Sequence, residues 1–417
     1  MRERRISELK KEYDAIKAKG LKLDMSRGKP GPDALNFTDG MLKLPADDYI
    51  SENGTDCRNY GVIDGIPEAK RLFAPMLGVS EDKIIVGGNS SLQMMYDAVT
   101  RAMLFGVSDD CEPWGKSEVK FLCPVPGYDR HFAICETMGI KMLNIPTDKN
   151  GPDMDAAERL VSEDGSIKGI WCVPMYANPT GITYSDEVVG RLARMKPKAA
   201  DFRIFWDNAY CVHHLTDSPA NLANILAECE SAGNPDMVYM FASTSKISFP
   251  GGGLGVLAAS GANIAYIKKH ISFQTIGPDK LNQLRHAQFF RDFDGIKAHM
   301  RLIKGVLKPK FDAVLEILER ELATDGLGSW HKPEGGYFIS FDGAKGTAKR
   351  TVALCKEAGL VLTGAGATFP YGKDPDDKNI RIAPTYPSLD ELRAAMEVFC
   401  ASVKLANAEI SGGGETP

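Results

Sequence analysis

The chain has 417 residues, of which 43% are hydrophobic and 25% charged, with a formal net charge of −5. It is long enough to bury a large core, and its mild acidity argues against a dominant nucleic-acid surface. The charged start Met1–Ile6 lacks a secretory core, no apolar run approaches bilayer length, and nine scattered cysteines include no close C-x-x-C pair, so a cytoplasmic protein with reduced thiols and no membrane partner is expected.

In chain order, residues 7 to 19 space Leu9, Tyr13 and Ile16 among charges as an amphipathic helix, with Gly20 as its stop. Leu23 to Pro30 reads as an extended segment ending in a Gly/Pro turn that contains Arg27, Gly28 and Lys29. Asn59-Tyr60-Gly61 begins a glycine-punctuated loop that runs into a helix starting near Pro67.

Ile84-Ile85-Val86 is a short strand, Gly87-Gly88-Asn89-Ser90-Ser91 a tight turn, and Leu92 to Met103 a helix. Free amides and the helix dipole at such a turn favour an anion, although taken alone the turn is better read as plain N-capping by Asn89 or Ser90. The lysine of a P-loop is absent. Further strands lie at Val119–Cys123, followed by Pro126-Gly127-Tyr128, and at Ile170–Met175, followed by Asn178-Pro179-Thr180-Gly181.

Ser185 caps the next helix. Ile204-Phe205-Trp206 then carries Asp207 to a strand end, with Tyr210 three residues on. His213 and His214 are adjacent and lack an accompanying ligand pattern, so no metal site is expected. Val238–Phe241 is another apolar strand, delivering Lys246 after Ser243-Thr244-Ser245; Gly251-Gly252-Gly253 follow, either as a close backbone approach or as a bend.

Strand-like runs near 84, 121, 140, 171, 204, 239 and 256, separated by helical patterns, predict an α/β fold of three layers around a mostly parallel seven-stranded sheet. Beyond about 278 come long helices, a turn at Lys332–Gly336, a strand carrying Arg381 and a capping box from Ser388 to Glu391. A smaller α+β domain built from both chain ends is expected. The boundaries are 1–65 for the arm and part of the small domain, 66–300 for the large domain, 301–410 for the small domain, and 411–417 for a disordered tail.

An acid at one strand end, a phenol nearby and a lysine after a separate strand suit a cofactor that needs a covalent amine anchor and a protonated ring nitrogen, namely pyridoxal 5'-phosphate. On Asn178-Pro179-Thr180-Gly181, Asp207-Asn208-Ala209-Tyr210, Ser243-Thr244-Ser245-Lys246 and Arg381, taken together and in this order, the chain resembles the fold-type I pyridoxal-phosphate aminotransferases of class I/II, in a divergent branch of aspartate aminotransferases. The resemblance runs from about Leu23 to the last helix.

The resemblance implies roles. Lys246 is the covalent anchor and the base for the Cα proton, Asp207 the partner of the ring nitrogen, and Tyr210 with Asn178 the donors to the phenolic oxygen. Tyr128 stacks on the ring. Asn89, Ser90, Ser91, Ser243 and Ser245 surround the phosphate, and Tyr60 reaches the phosphate of a neighbouring subunit in a homodimer. Arg381 clamps the substrate α-carboxylate beside Asn178 and Gly28.

Two departures stand out. The family's phosphate arginine is replaced by Gly253 and Leu254. No cation is singled out for a substrate's distal carboxylate; Arg27, Lys29, Arg130, His131, His270 and His286 are the candidates. The expected reaction is ping-pong amino transfer between an amino acid, aspartate, and a 2-oxo acid, 2-oxoglutarate. Alternatives are an aminotransferase for aromatic amino acids, 2-aminoadipate or alanine, or a pyridoxal-phosphate lyase. A regulator would need a winged helix-turn-helix, and about 20 residues precede Leu23, too few for one.

Overall fold

The computed structural model describes residues 2–410; the expected tail, 411–417, lies outside them. The chain opens with α1 (Arg2–Lys17), β1 (Leu23–Met25), the short α2 (Pro32–Leu35) and α3 (Pro67–Leu77). The central region alternates β2 (Ile84–Gly87), α4 (Ser91–Phe105), β3 (Lys120–Val125), α5 (Asp129–Thr137), β4 (Lys141–Asp148), β5 (Gly151–Pro152) and α6 (Met154–Glu163). It continues with β6 (Ile167–Cys172), α7 (Asp186–Arg194), β7 (Arg203–Asp207), α8 (Ile225–Ser231), β8 (Val238–Ser243), β9 (Gly255–Ala259) and α9 (Gly261–Gln274). The last part contains α10 (Lys280–Phe290), α11 (Phe293–Leu318), β10 (Ser329–Trp330), β11 (Ile339–Asp342), α12 (Ala348–Glu357), β12 (Leu360–Leu362), β13 (Asn379–Ile382) and α13 (Leu389–Ile410).

The central sheet has the order β2-β9-β8-β7-β6-β3-β4-β5. Strands β8, β7, β6, β3 and β4 are mutually parallel, whereas β9 runs antiparallel to both its neighbours. All seven expected strands are present. The eighth, β5, is a two-residue edge strand antiparallel to β4 and is too short to leave a periodic signal. Every residue of β7, β8 and β9 is buried, because helices cover both faces.

Alternation along β7 sorts the core into two layers. Ile204 and Trp206 pack with Val189 and Leu192 of α7, whereas Phe205 packs with Trp171, Tyr239 and Phe241 beneath α4, α5 and α9. Asp207 has the parity of Phe205, so its carboxylate emerges on the α5 side.

A second sheet, β10-β11-β13, is antiparallel, and β1 pairs in parallel with β12, joining the two chain ends. Helix α1 lies on α13 of its own chain, with the Tyr13 hydroxyl donating to the Leu354 carbonyl at 2.8 Å. The capping box at α13 forms as expected, Ser388 and Glu391 bonding reciprocally. Helix α11 runs unbroken through position 300.

His286, on α10, fastens this helix to the segment after β8. Its Nδ1 donates to the Asn282 carbonyl at 2.8 Å, which leaves the one lone pair of Nε2 facing the hydroxyls of Thr244 and Ser248 at 3.1 and 2.9 Å. Burial pushes its pKa down to about 4. The unfolded chain takes up this proton near the ordinary pKa of about 6.5 and the folded chain does not, so the associated stability is complete above that pH and declines as pH falls toward 4. The contribution is at most on the order of 3 kcal/mol. Denaturant titrations from pH 7.5 to 4 should show unfolding free energy falling in this window, and His286→Asn should flatten the decline. An unchanged slope in the variant would mean that His286 titrates normally.

Candidate active site

The chain runs outward from β3 to β4 and then returns to build β6, β7 and β8 on the other side of β3. The carboxyl ends of β3 and β6 therefore flank a topological switch point, where open α/β sheets leave a crevice. Tyr128 follows β3, Asn178 follows β6, Asp207 ends β7 and Lys246 follows β8. Four separated sequence segments thus reach one end of one sheet. A cleft of about 470 Å³ also opens around Lys196, Arg203 and Asp236, but it lies at the opposite ends of the strands, away from this cluster.

Asp207 is 3% exposed, a costly position for a carboxylate without partners. Its Oδ2 meets His131 Nε2 at 3.0 Å, and its Oδ1 is buried with no hydrogen-bond partner. His131 is held in turn by stacking on Trp171, with ring centroids 4.4 Å apart and planes 11° apart, and by an edge contact with Tyr128. One oxygen is thus fixed and the other is left for a donor such as a protonated ring nitrogen.

Lys246 places Nζ 5.0 Å from the centre of the Tyr210 ring and 5.8 Å from that of Tyr337. Burial pushes its pKa down; the charge of Arg381 acts in the same direction, and that of Asp207 opposes them. Burial, and then the neighbouring Tyr128 and Asp207, push the Tyr210 hydroxyl well up, so it remains a proton donor at neutral pH. Behind the lysine, His213 Nε2 donates to the Lys246 carbonyl at 3.3 Å. Burial and the Lys246 charge drive the His213 pKa down to about 3, which keeps this ring neutral.

At the start of α4, the Ser90 side chain accepts the Gln93 amide at 3.3 Å, so the capping reading holds, while Asn89 and Ser91 flank the same turn. Ser243 Oγ accepts the Ser245 amide at 3.4 Å. The glycines after Lys246 serve a close approach: a Cβ on Gly253 would lie 2.9 Å from the Asn89 carbonyl oxygen, and one on Gly255 2.6 Å from that of Ser90. Leu254 is buried and donates its amide to Thr244 Oγ1 at 2.8 Å. No side chain at 253 or 254 reaches the turn as an arginine would.

Arg381 arrives from β13. Its Nη1 donates to Asp129 Oδ1 at 3.0 Å and to Asn178 Oδ1 at 3.2 Å, Nη2 donates to Thr363 Oγ1 at 3.1 Å, and the buried Nε has no partner. The guanidinium lies 4.8 Å from the centre of the Phe338 ring, and Gly28 abuts the same ring so closely that a Cβ there would clash. Thr363 also donates to the Ser26 carbonyl, tying the extended N-terminal segment to the arginine.

Among the candidates for a distal carboxylate, His131 and His286 are committed to Asp207 and to the Thr244 turn, and His270 lines a separate cleft with Arg101, Phe105 and Phe273. Burial takes His131 and His286 out of substrate reach, and His270 faces that other cleft. Lys29 lies over the Tyr386 ring at 3.8 Å, and Arg27 and Arg130 are exposed. Tyr60 is 77% exposed, pointing away from its own core. The sequence reading missed Asp129, Thr363, Tyr337 and His213. Asp129 and His213 each lie within three residues of a residue that was chosen, which is the only signal they offered.

The aspartate amino-transferase family model matches residues 3–414. A protein of Mycolicibacterium smegmatis named as an aminotransferase is 51% identical over 96% of this chain and 94% of its own length. The aspartate aminotransferase of Corynebacterium glutamicum is 46% identical over 96% of this chain and 93% of its own. A crystal structure of an aspartate transaminase from that organism superimposes with a TM-score of 0.95 at 45% identity, covering 97% of this chain and 96% of the other. The chain belongs to the aspartate aminotransferase family.

Proposed function

We propose that the protein transfers an amino group reversibly between L-aspartate and 2-oxoglutarate, using pyridoxal 5'-phosphate anchored on Lys246, in a cytoplasmic homodimer. The observation that carries this reading is the half-satisfied carboxylate of Asp207: a buried acid with one oxygen held by His131 and the other free suits a positively charged ring nitrogen. When bound, the cofactor supplies an electron sink that makes the substrate Cα–H acidic.

The chain's own residues do the rest. Asp207 would hold a proton on the ring nitrogen, and the downward shift of the Lys246 pKa favours the neutral amine, the form that would bond the cofactor and move the Cα proton. Tyr210 and Asn178 would hold the phenolic oxygen, Tyr128 would pack against the ring, and Ser90, Ser91, Ser243 and Ser245 with the Asn89 turn would hold the phosphate. Arg381 offers its unpartnered Nε and its Nη fork to the α-carboxylate, which exchanges with Asp129. Arg27, Lys29 and Arg130 are the cations left for the distal carboxylate.

A second copy of the chain would cover the exposed Leu104 and Phe105 of α4, Phe273 of α9, and Ile276, and would receive Tyr60. The cytoplasmic reading draws on nine cysteines that are all unpaired.

Rapid-mixing spectroscopy with single amino acids and no oxo acid should show conversion of the cofactor to its aminated form, fastest with aspartate or glutamate and reversed by 2-oxoglutarate. Release of ammonia or CO₂ without that conversion would overturn the transfer reaction. Lys246→Ala should lose both the visible band of the lysine-bound cofactor and the conversion; a band identical to wild type would remove Lys246 from its role.

Arg381→Ala and Arg381→Lys should leave that band in place. Each should raise the amino-acid concentration for half-maximal rate by about ten- to a hundredfold, the equivalent of one charge-assisted hydrogen bond of about 1.5–3 kcal/mol. An unchanged concentration dependence would place the carboxylate elsewhere.

A further inference from the structure

Lys280 is 3% exposed, and among the described residues it makes no ion pair with a carboxylate. Its Nζ donates to the Gly61 carbonyl at 3.0 Å. Elsewhere the same chain pairs a buried lysine as physical chemistry requires: Lys310, 4% exposed, meets Asp33 at 2.7 Å. A buried ammonium with one carbonyl for company is costly, and it points to an anion that completes the site.

The surroundings of Lys280 identify that anion. It opens α10, whose first turn touches three parts of the cofactor region. Asn282 donates to the carbonyls of Gly252 and Gly253 at 2.9 and 3.1 Å, at the bend where the arginine is missing. Gln283 donates to the Val86 carbonyl at 3.1 Å, at the end of the strand that leads into the Asn89–Ser91 turn. Lys280 itself holds the carbonyl next to Tyr60, and the Gly61 amide donates to the Ile276 carbonyl at 3.1 Å, so lysine and tyrosine are parts of one fastened loop.

We propose that Lys280 supplies the positive charge for its own subunit's cofactor phosphate in place of the arginine absent at Gly253/Leu254. The inference rests on the pyridoxal-phosphate reading above. Among the described residues, positions 253 and 254 bring no cation to a phosphate dianion bound through the amides and hydroxyls of the Asn89–Ser91 turn. Lys280 has two N–H groups beyond the one given to Gly61, enough to meet phosphate oxygens without surrendering the loop.

The test compares pyridoxal phosphate with pyridoxal, which lacks the phosphate, as ligands of the full-length wild type, Lys280→Met and Lys280→Arg. Dissociation constants come from the absorbance of the lysine-bound form, and thermal unfolding of the cofactor-free proteins monitors the fold. Lys280→Met should bind pyridoxal phosphate at least about tenfold more weakly, the worth of a charge-assisted hydrogen bond, while pyridoxal changes less than about threefold. Lys280→Arg, which keeps the charge, should stay within about tenfold of wild type for both ligands; if the methionine variant does not fold, Lys280→Gln, which loses the charge and keeps a donor for the Gly61 carbonyl, carries the comparison. Equal weakening of both ligands, or unchanged binding of pyridoxal phosphate, would overturn the proposal and leave Lys280 as a clamp on the Gly61 loop. If wild type binds neither ligand, the cofactor reading itself fails.

Discussion

The arrangement depends on a buried carboxylate that is only half satisfied. Asp207 reaches the end of β7 inside the core, where an isolated charge is untenable, and His131 secures one oxygen. Trp171 and Tyr128 fix the imidazole, so three strand ends and one helix cooperate to hold a single oxygen in place. The free oxygen is the directional element around which lysine, phenol and arginine are arranged.

The sheet explains why such distant residues meet. Parallel strands bring all their carboxyl ends to one edge, and the reversal of chain order between β3 and β6 opens that edge. Asp207 and Lys246 were legible because each ends an apolar run, and a buried parallel strand writes its whole length in hydrophobic residues. The seven long strands were legible for the same reason, and two-residue β5 was not.

His131 shows where that legibility stops. Its position in the sequence marks a helix start, but its partner is set by the face of β7 that α5 covers, a tertiary fact with no local pattern. His286 is similar: its hydrogen bonds to Thr244 and Ser248 join segments some 40 residues apart, so as a sequence it looked like any free cation. Arg381 was found by resemblance, whereas Asp129 and Thr363, which hold its fork, come from an α5 start and a β12 end that nothing in the sequence connects.

The glycine bend after Lys246 makes the same point from the opposite direction. Three glycines in a row suggest slackness, yet Gly253 and Gly255 are closely fitted, their missing side chains giving room to the carbonyls of Asn89 and Ser90. An arginine at 253 would strike that backbone, and at 254 it would bury a charge where Leu254 now packs. The turn at the start of α4 occupies the space that a side chain at 253 or 255 would need, so the two segments meet backbone to backbone. The bend gains tight packing and carries no positive charge of its own, and a cation for a phosphate there would come from an element outside the Lys246 segment. The first turn of α10, bonded to the bend through Asn282, is the neighbour whose position allows it.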